Sequence, residues 1–430
     1  MPSLPPAMHH RDFRLLWVGV LTSGFAAQMV AVAVGWQVYA IHHSAFDLGL
    51  IGLAEFVPLP LLALPAGQLA DRLPRTIVFA SSIVAEAAVA AALLVVTIGG
   101  ARQLWAFVAL AVLTGITAAF GAPAARALTP ELVPADLLAG ALALRSIAFQ
   151  AATVAGPALG GLLFAVRGES VYAVAVVLFG VAAVCVVRVS LPPAVEHVTE
   201  PALQSLLGGI RLIRSTPILL GAITLDLFAV LFGGAVALLP LFAKSILHTG
   251  PLGLGVLRSM PAAGALVAGV MLARKPLGGH AGQKLLLVVG AFGASMVVFG
   301  LSRTFWLSAI ALVVSGFVDM FSMNIRSTTV ALSTPNALRG RVNSVEMVFI
   351  SASNELGAFE SGVAASLLGA TPAVVAGGAI TIVLALIWPR IFPQLARVDR
   401  LESLRPSAAG GGEVLPVGRP GPAAAPEPAD

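Results

Sequence analysis

From Phe13 to Ile391 the chain is a succession of long apolar runs, at 14–41, 48–66, 77–98, 104–126, 138–166, 171–189, 216–246, 251–273, 284–301, 304–330, 342–368 and 372–391. Crossing a hydrocarbon core of about 30 Å takes about 20 helical residues at a rise of roughly 1.5 Å each. Every run meets that length once tilt or overhang is allowed. Inside lipid no water satisfies the backbone, so a crossing segment is a helix or a strand of a closed barrel. These runs are far longer than the roughly 10-residue alternating strands of a barrel. Two tyrosines in 430 residues are also too few for the aromatic girdles at its rims. Charged residues make up 10% of the chain, against about 25% in soluble domains. The expectation is an all-α membrane protein with twelve transmembrane helices.

An even number of spans puts both termini on one side. Arg11, Arg14, Arg72, Arg75, Arg126, Arg188, Arg211, Arg214, Arg274, Lys275, Lys284, Arg326, Arg339, Arg341 and Arg390 fall on that side. Arg102, Arg167, Lys244 and Arg303 fall on the other. The positive-inside rule therefore makes both termini cytoplasmic. The longest internal link, 190–215, divides the chain into a first six-helix bundle, 1–189, and a second, 216–392. Within the link, 203–214 is amphipathic and is expected to lie along the inner membrane surface. A cytoplasmic tail follows from 393, and its Gly-, Pro- and Ala-rich part from about 407 reads as disordered.

The basic balance of +5 follows the links and does not indicate nucleic acid. Cys185 is the single cysteine, so there is no intrachain disulfide and no cysteine metal site. The seven histidines show no metal-ligand spacing within a span, and no metal or cofactor is expected. There is no phosphate-binding G-x-x-x-x-G-K-[ST] loop, which removes ATP hydrolysis as a driver. No nucleophile–base pair stands out, and the chain does not read as an enzyme.

The halves echo each other. Leu48-Gly49-Leu50-Ile51-Gly52-Leu53 opens the second run, and Leu252-Gly253-Leu254-Gly255-Val256-Leu257 opens the eighth. Pro134 precedes the fifth run as Pro335 precedes the eleventh. A parallel repeat of this kind is how many secondary transporters are built. Between runs two and three stands Gly67-Gln68-Leu69-Ala70-Asp71-Arg72-Leu73-Pro74-Arg75, read as a charged loop. Gly67 and Ala70 permit close helix packing. Asp71 suits a helix N-terminus. Arg72 and Arg75 can reach carboxylates or helix C-terminal carbonyls across the boundary between the halves. Run five carries Gly156-Pro157-Ala158-Leu159-Gly160-Gly161, where Pro157 kinks the helix and Gly156, Gly160 and Gly161 allow a close neighbour.

In this context the loop resembles the signature of the major facilitator superfamily of secondary transporters, over about residues 11–392. The resemblance implies two pseudo-symmetric six-helix bundles that alternate access to a central site. It makes Gly67, Asp71, Arg72 and Arg75, with Arg126, Arg326 and Arg341, a cytoplasmic gate. Pro74 stands where that family usually has Gly, and Thr76 where it usually has a base. The Gly156–Gly161 stretch resembles the family's antiporter motif, which points to export. Its upstream small residues here are Ala143 and Ala152, and the Arg that many exporters carry inside span four is absent.

Charges within spans cost about 2.5–3.5 kcal/mol each at a helix centre and call for a reason. Asp226, about 15 Å into the seventh span, is the first candidate for binding a substrate cation or proton. Asp319 shares a helix face with Ser315, Ser322 and Arg326. Glu355 lies deep in span eleven, and Glu360 is about 140° further round. Gln28 in span one can hydrogen-bond a substrate. Glu55 and Arg258, at matching places in spans two and eight, are candidates for an outer gate.

Phe13-Arg14-Leu15-Leu16-Trp17, Leu225-Asp226-Leu227-Phe228 and Thr334-Pro335 with Leu338-Arg339-Gly340-Arg341-Val342-Asn343 resemble the siderophore- and macrolide-efflux branch of that superfamily. The implied protein is a monomeric, multi-pass exporter of the bacterial inner membrane. It would move a small organic molecule, a siderophore, drug or amphiphile, in exchange for protons. An importer or lysolipid-type transporter of the same fold, and a membrane sensor that moves nothing, remain as alternatives.

Overall fold

The computed structural model describes residues 5–190, 202–275 and 278–404, and among them there is no strand. The first half is built from α1 (Arg11–His42), α2 (Ala45–Phe56), α3 (Pro58–Arg72), α4 (Arg75–Ile98), α5 (Leu104–Leu132), α6 (Leu138–Val166) and α7 (Gly168–Val187). A linking helix α8 (Ala202–Ser215) follows. The second half holds α9 (Pro217–Gly233), the short α10 (Leu239–Leu241), α11 (Pro251–Arg274), α12 (Ala281–Leu301), α13 (Phe305–Ser333), α14 (Arg339–Leu368), α15 (Ala370–Ile391) and a short α16 (Pro393–Ala396).

Eleven helical segments among the described residues are long and apolar enough to cross a membrane. The 30-residue α14 matches them in length but not in apolarity. Local sequence sets the helix ends. Prolines at first turns open α3, α9 and α11, where their missing N–H costs nothing. Ser44 caps α2 by accepting from the Asp47 amide at 3.2 Å. α2 and α3 form one span broken at Val57–Pro58. The seventh span bends after Gly233 into a 3-10 turn, α10 and a π turn, Phe242–Ile246.

The two halves repeat the same packing. α1 lies on α6 and α7, as α9 lies on α14 and α15. α4 lies on α5 and α7, as α12 lies on α13 and α15. α5 backs onto α2 and α3, as α13 backs onto α11. The halves meet along two equivalent seams, α2 with α14 and α6 with α11.

Two expectations need correction. The stretch Gly67–Arg72 is not loop but the last turns of α3. The link is Leu73 and Pro74, because a residue before proline is driven out of the helical region and ends the helix there. The amphipathic linker is docked on protein rather than laid on a membrane surface. Leu212 and Ile213 of α8 are buried with Leu219, Ile223, Val330, Val342 and Val345. Gly208 and Gly209 seat that helix against Arg341 and Val345 of α14. The start of the tail is also docked, since the Ala281 and Gly282 amides donate to the carbonyls of Asp399 and Val398, both at 2.9 Å. Leu395, Val398 and Leu404 are buried there. The stretch expected to be disordered, from 407, lies outside the described residues.

Candidate functional site

The seams are closest at the end of the bundle away from the termini. Gly49 of α2 lies against Gly362 of α14, where an added Cβ would come within 3.2 Å of the Gly362 Cα. Gly161 of α6 lies against Pro251 and Gly255 of α11, and a Cβ there would come within 3.1 Å of the Gly255 Cα. Glycine at these places lets backbones approach, so dispersion replaces the hydrophobic drive that lipid removes. Two polar ties add to the closure. The Tyr39 and Ser245 hydroxyls are 2.8 Å apart, and Lys244 Nζ donates to the Ala40 carbonyl at 3.2 Å. Deeper, Gln150 Nε2 donates to the Ala262 carbonyl at 3.2 Å.

The run-five motif divides its labour. Gly161 faces the other half, whereas Gly156 packs on Gln28 and Gly160 on the Met29 backbone, both in α1. Pro157 is buried beside them, and its carbonyl faces Gly255. The side chain of Gln28, expected at a substrate, covers Gly156.

Toward the terminal end no described glycine makes such an approach across the boundary. Nothing lies within 4 Å of a Cβ added to Gly67, so that glycine does not serve close packing here. Arg126 is exposed and points Nη1 at Met347 Sδ of α14, 3.0 Å away across the boundary. Arg145 leans on the Arg126 carbonyl and Thr129. Arg75 forms an ion pair with Glu131 inside the first half, not across it, because α4 begins beside the end of α5. Arg72 is exposed, and the Asp71 side chain lies outside the described residues. Arg341 packs on Gly208 of α8.

The acids gather into two groups. In the first, Asp226 of α9 forms an ion pair with Arg326 of α13, and Arg326 Nε donates to Glu346 Oε1 of α14 at 3.2 Å. Their side chains are 12%, 5% and 13% exposed, so this is an interior cluster. Ile223, Leu227, Phe349 and Ile350 close round it. Arg326, expected at the gate, is thus held within the second half. Its two acids supply the counter-charge that a buried guanidinium requires. Asp319 parts company with Ser315, Ser322 and Arg326. Those three are buried, while Asp319 is exposed and within Coulombic range of Asp226 and Arg326.

In the second group, Glu55 of α2, Arg258 of α11 and Glu355 of α14 are mutually within Coulombic range. Glu355 Oε2 lies 3.6 Å from where Gly52 would carry a Cβ. This group joins both halves just inside the closed seams. Glu360 is half-buried on another face of α14. Glu346 is the member that sequence reasoning missed. The signal was available, because Asp226, Arg326 and Glu346 all lie about 10–14 Å from the terminal ends of their helices at 1.5 Å per residue.

Comparison with known proteins places this geometry. The profile of the family described as "Transmembrane secretion effector" matches residues 3–408. The enterobactin exporter EntS of Citrobacter koseri is 27% identical over 345 residues, 78% of this chain and 80% of that protein. Macrolide efflux protein A of Streptococcus pyogenes is 23% identical over 401 residues, 88% of this chain and 95% of that protein. Among solved structures, a bacterial homolog of the human lysosomal transporter Spinster, inward-facing and occupied, superimposes with a TM-score of 0.71 at 16% identity, covering 93% of this chain and 99% of that one. A D-xylose-proton symporter does so with a TM-score of 0.68 at 13% identity, covering 90% and 99%. At such identities the structural likeness shows the fold alone.

Proposed function

The chain belongs to the transmembrane secretion effector family of major facilitator transporters, and from that premise we propose that it is a proton-coupled exporter of a small organic molecule in the bacterial inner membrane. Its relatives include exporters of a siderophore and of macrolides by name, which supports export of an amphiphile of that general size. In this reading α14 is the eleventh span and brings the number to twelve, both termini are cytoplasmic, and 1–189 and 216–392 are the bundles that rock against each other as a monomer.

The observation that carries the reading is the asymmetry between the two ends. The halves are sealed by glycine-to-backbone seams away from the termini. Toward the termini, Gly67 faces open space and Arg126 is exposed. That is an arrangement open toward the cytoplasm. Substrate enters beside Arg126 on the terminal side and leaves when the seams at Gly49–Gly362 and Gly161–Gly255 part. Glu55 and Arg258 belong to the outer closure. Asp226, Asp319 and Glu355 are the coupling acids, with Gln28 and Glu360 near the path. A carboxylate whose surroundings change between wet and dry takes up a proton in one state and yields it in the other.

The test is efflux of a panel of amphiphilic dyes, macrolides and catecholate siderophores from proteoliposomes, with and without an imposed pH gradient. Gradient-dependent movement of at least one compound is expected. Movement of a compound that ignores the gradient would remove the proton coupling, and binding without any movement would remove transport.

A further inference from the structure

A cavity of about 630 Å³ opens at the end of the bundle away from the termini. Its walls come from both halves. His43 and Ser44 belong to the link between α1 and α2 in the first half. Leu241 and Ile246 lie at the end of the bent seventh span, and Ser366 and Thr371 flank the link from α14 to α15, all in the second half. The seam between α2 and α14 runs up to it. Ala45 lines the cavity, and a Cβ added to Gly362 would come within 2.9 Å of the Ala45 carbonyl oxygen.

The lining is part apolar and part rich in donors. Leu241 and Ile246 give it an apolar wall. Ser44 Oγ accepts from the Asp47 amide at 3.2 Å, which leaves its O–H to donate. Thr371 Oγ1 accepts from Arg303 Nη1, also at 3.2 Å, and keeps its O–H in the same way. Arg303 is exposed, and its Nε and Nη2 make no hydrogen bond among the described residues. The His43 ring makes none among them either. Asp47, the acid nearest to Ser44 in sequence, stands 3.4 Å from His42 Nδ1 and does not line the cavity. A cation and several free donors beside an apolar wall suit an amphiphile with an anionic head. The volume falls in the roughly 300–1,000 Å³ range of small-molecule sites.

We propose that this cavity is an outer-face binding site for a small anionic amphiphile, which clasps the two halves and holds the exporter closed on that side. The regulatory consequence rests on the reading of the chain as an alternating-access exporter, whereas the site rests on the cavity and its lining. Parting the seam draws His43 and Ser44 away from Ser366 and Thr371, so the complete cavity belongs to the closed state. A ligand that touches both walls shifts the balance by its differential affinity for that state. At ten times its Kd it raises the ratio of closed to parted molecules about tenfold.

The test uses the full chain in lipid nanodiscs and octanesulfonate, whose head stays ionised and carries no proton through lipid. Calorimetry, with empty nanodiscs subtracted, should show saturable binding to wild type. His43→Gly strips the first half's wall and keeps the left-handed backbone that His43 adopts at φ 53°. Arg303→Gln removes the cation, and Ser366→Trp fills the cavity from the second half. All three side chains are exposed, so the fold should survive each change. Affinity should fall about threefold in His43→Gly and about tenfold or more in the other two. Octyltrimethylammonium should bind wild type no better than it binds Ser366→Trp. No saturable binding of octanesulfonate, or equal affinity in wild type and Ser366→Trp, overturns the site. A fall confined to the second-half variants overturns the clasp, and a cation bound as well as the anion overturns the ligand class. With spin labels at Trp105 and Trp306, one in each half, a longer-distance population that grows at saturating octanesulfonate overturns the hold on the closed state. None of these readings needs a transported substrate, so the exporter reading can fail while the site stands.

Discussion

Gly161→Ala probes the seam on which the proposed cycle depends. A Cβ at this position would meet the Pro251 carbonyl oxygen and come within 3.1 Å of the Gly255 Cα. Both are backbone atoms, which cannot swing aside as a side-chain tip can. Inserting one methyl group into a filled contact costs about 1–3 kcal/mol. The closed state makes this contact, and a state with the seam parted does not. The whole penalty therefore falls on one side of the conformational equilibrium. At 1.4 kcal/mol per factor of ten, the ratio of parted to closed molecules rises roughly 5- to 150-fold. Spin labels at Trp105 and Trp306 read that ratio. Both are highly exposed at the ends of α5 and α13 away from the termini, one in each half. With Cys185→Ala as background, double electron–electron resonance should show a longer-distance population growing in the variant.

Gly264→Ala separates this effect from general damage. Its Cβ would meet the Val313 carbonyl of α13, an equally close backbone contact but inside the second half. It should lower the melting temperature and leave the Trp105–Trp306 distances as they are. A Gly161→Ala protein with the wild-type distance distribution and wild-type melting would refute the argument that this seam is what holds the closed state.

Three further outcomes follow from the packing. Arg326→Met leaves Asp226 and Glu346 buried without a counter-charge and should cost about 3–5 kcal/mol, read as a large fall in the melting temperature. Wild-type melting would show that the ion pairs carry no stability. Tyr172→Phe removes the 2.7 Å donation to Gln37 Oε1, while Thr97 still bonds Gln37 at 3.1 Å. The loss should stay near 0.5–1.5 kcal/mol, and a larger one would mean the three side chains act as one network. Gly209→Val places a branched side chain where even a Cβ meets the Val345 Cγ2 at 2.8 Å. It should undock α8, raising hydrogen exchange across 207–215, and unchanged protection would show that α8 does not depend on this seat.

The spans were legible because lipid imposes a length and a polarity that few other solvents do, and α6, at 138–166, matches its apolar run to the residue. What failed was what the bilayer does not dictate. Helix α3 runs on through Gly67–Arg72, because a charged helical turn beyond the membrane looks, in sequence, like a loop. The amphipathic α8 was read as lying on a membrane because hydrophobic periodicity shows that a face must be covered without showing by what. Here Val342 and Val345 cover it. Asp226 was legible as a buried acid but not as a partner of Arg326, since they are a hundred residues apart. Glu346 fell near the start of its run, where an acid reads as ordinary helix-end electrostatics.

The polarity of α14 is the common thread of these misses. It carries Arg339, Arg341, Glu346, Glu355 and Glu360, and it is the long helix not counted as apolar enough to cross a membrane. Lipid would penalise such a helix, but α2, α8, α9 and α15 pack around it. Its charges meet protein instead. Arg341 seats α8, Glu346 binds Arg326, and Glu355 lies among Glu55 and Arg258. Its small residues do the remaining work, with Gly357 on the Leu231 backbone and Gly362 on Gly49. One rigid helix thus touches the ionic cluster near the terminal end, the second cluster in the middle and the glycine seam at the far end. A displacement of α14 against α9 and α13 near Glu346 must also shift it against α2, because a close-packed interior transmits strain rather than absorbing it at each contact.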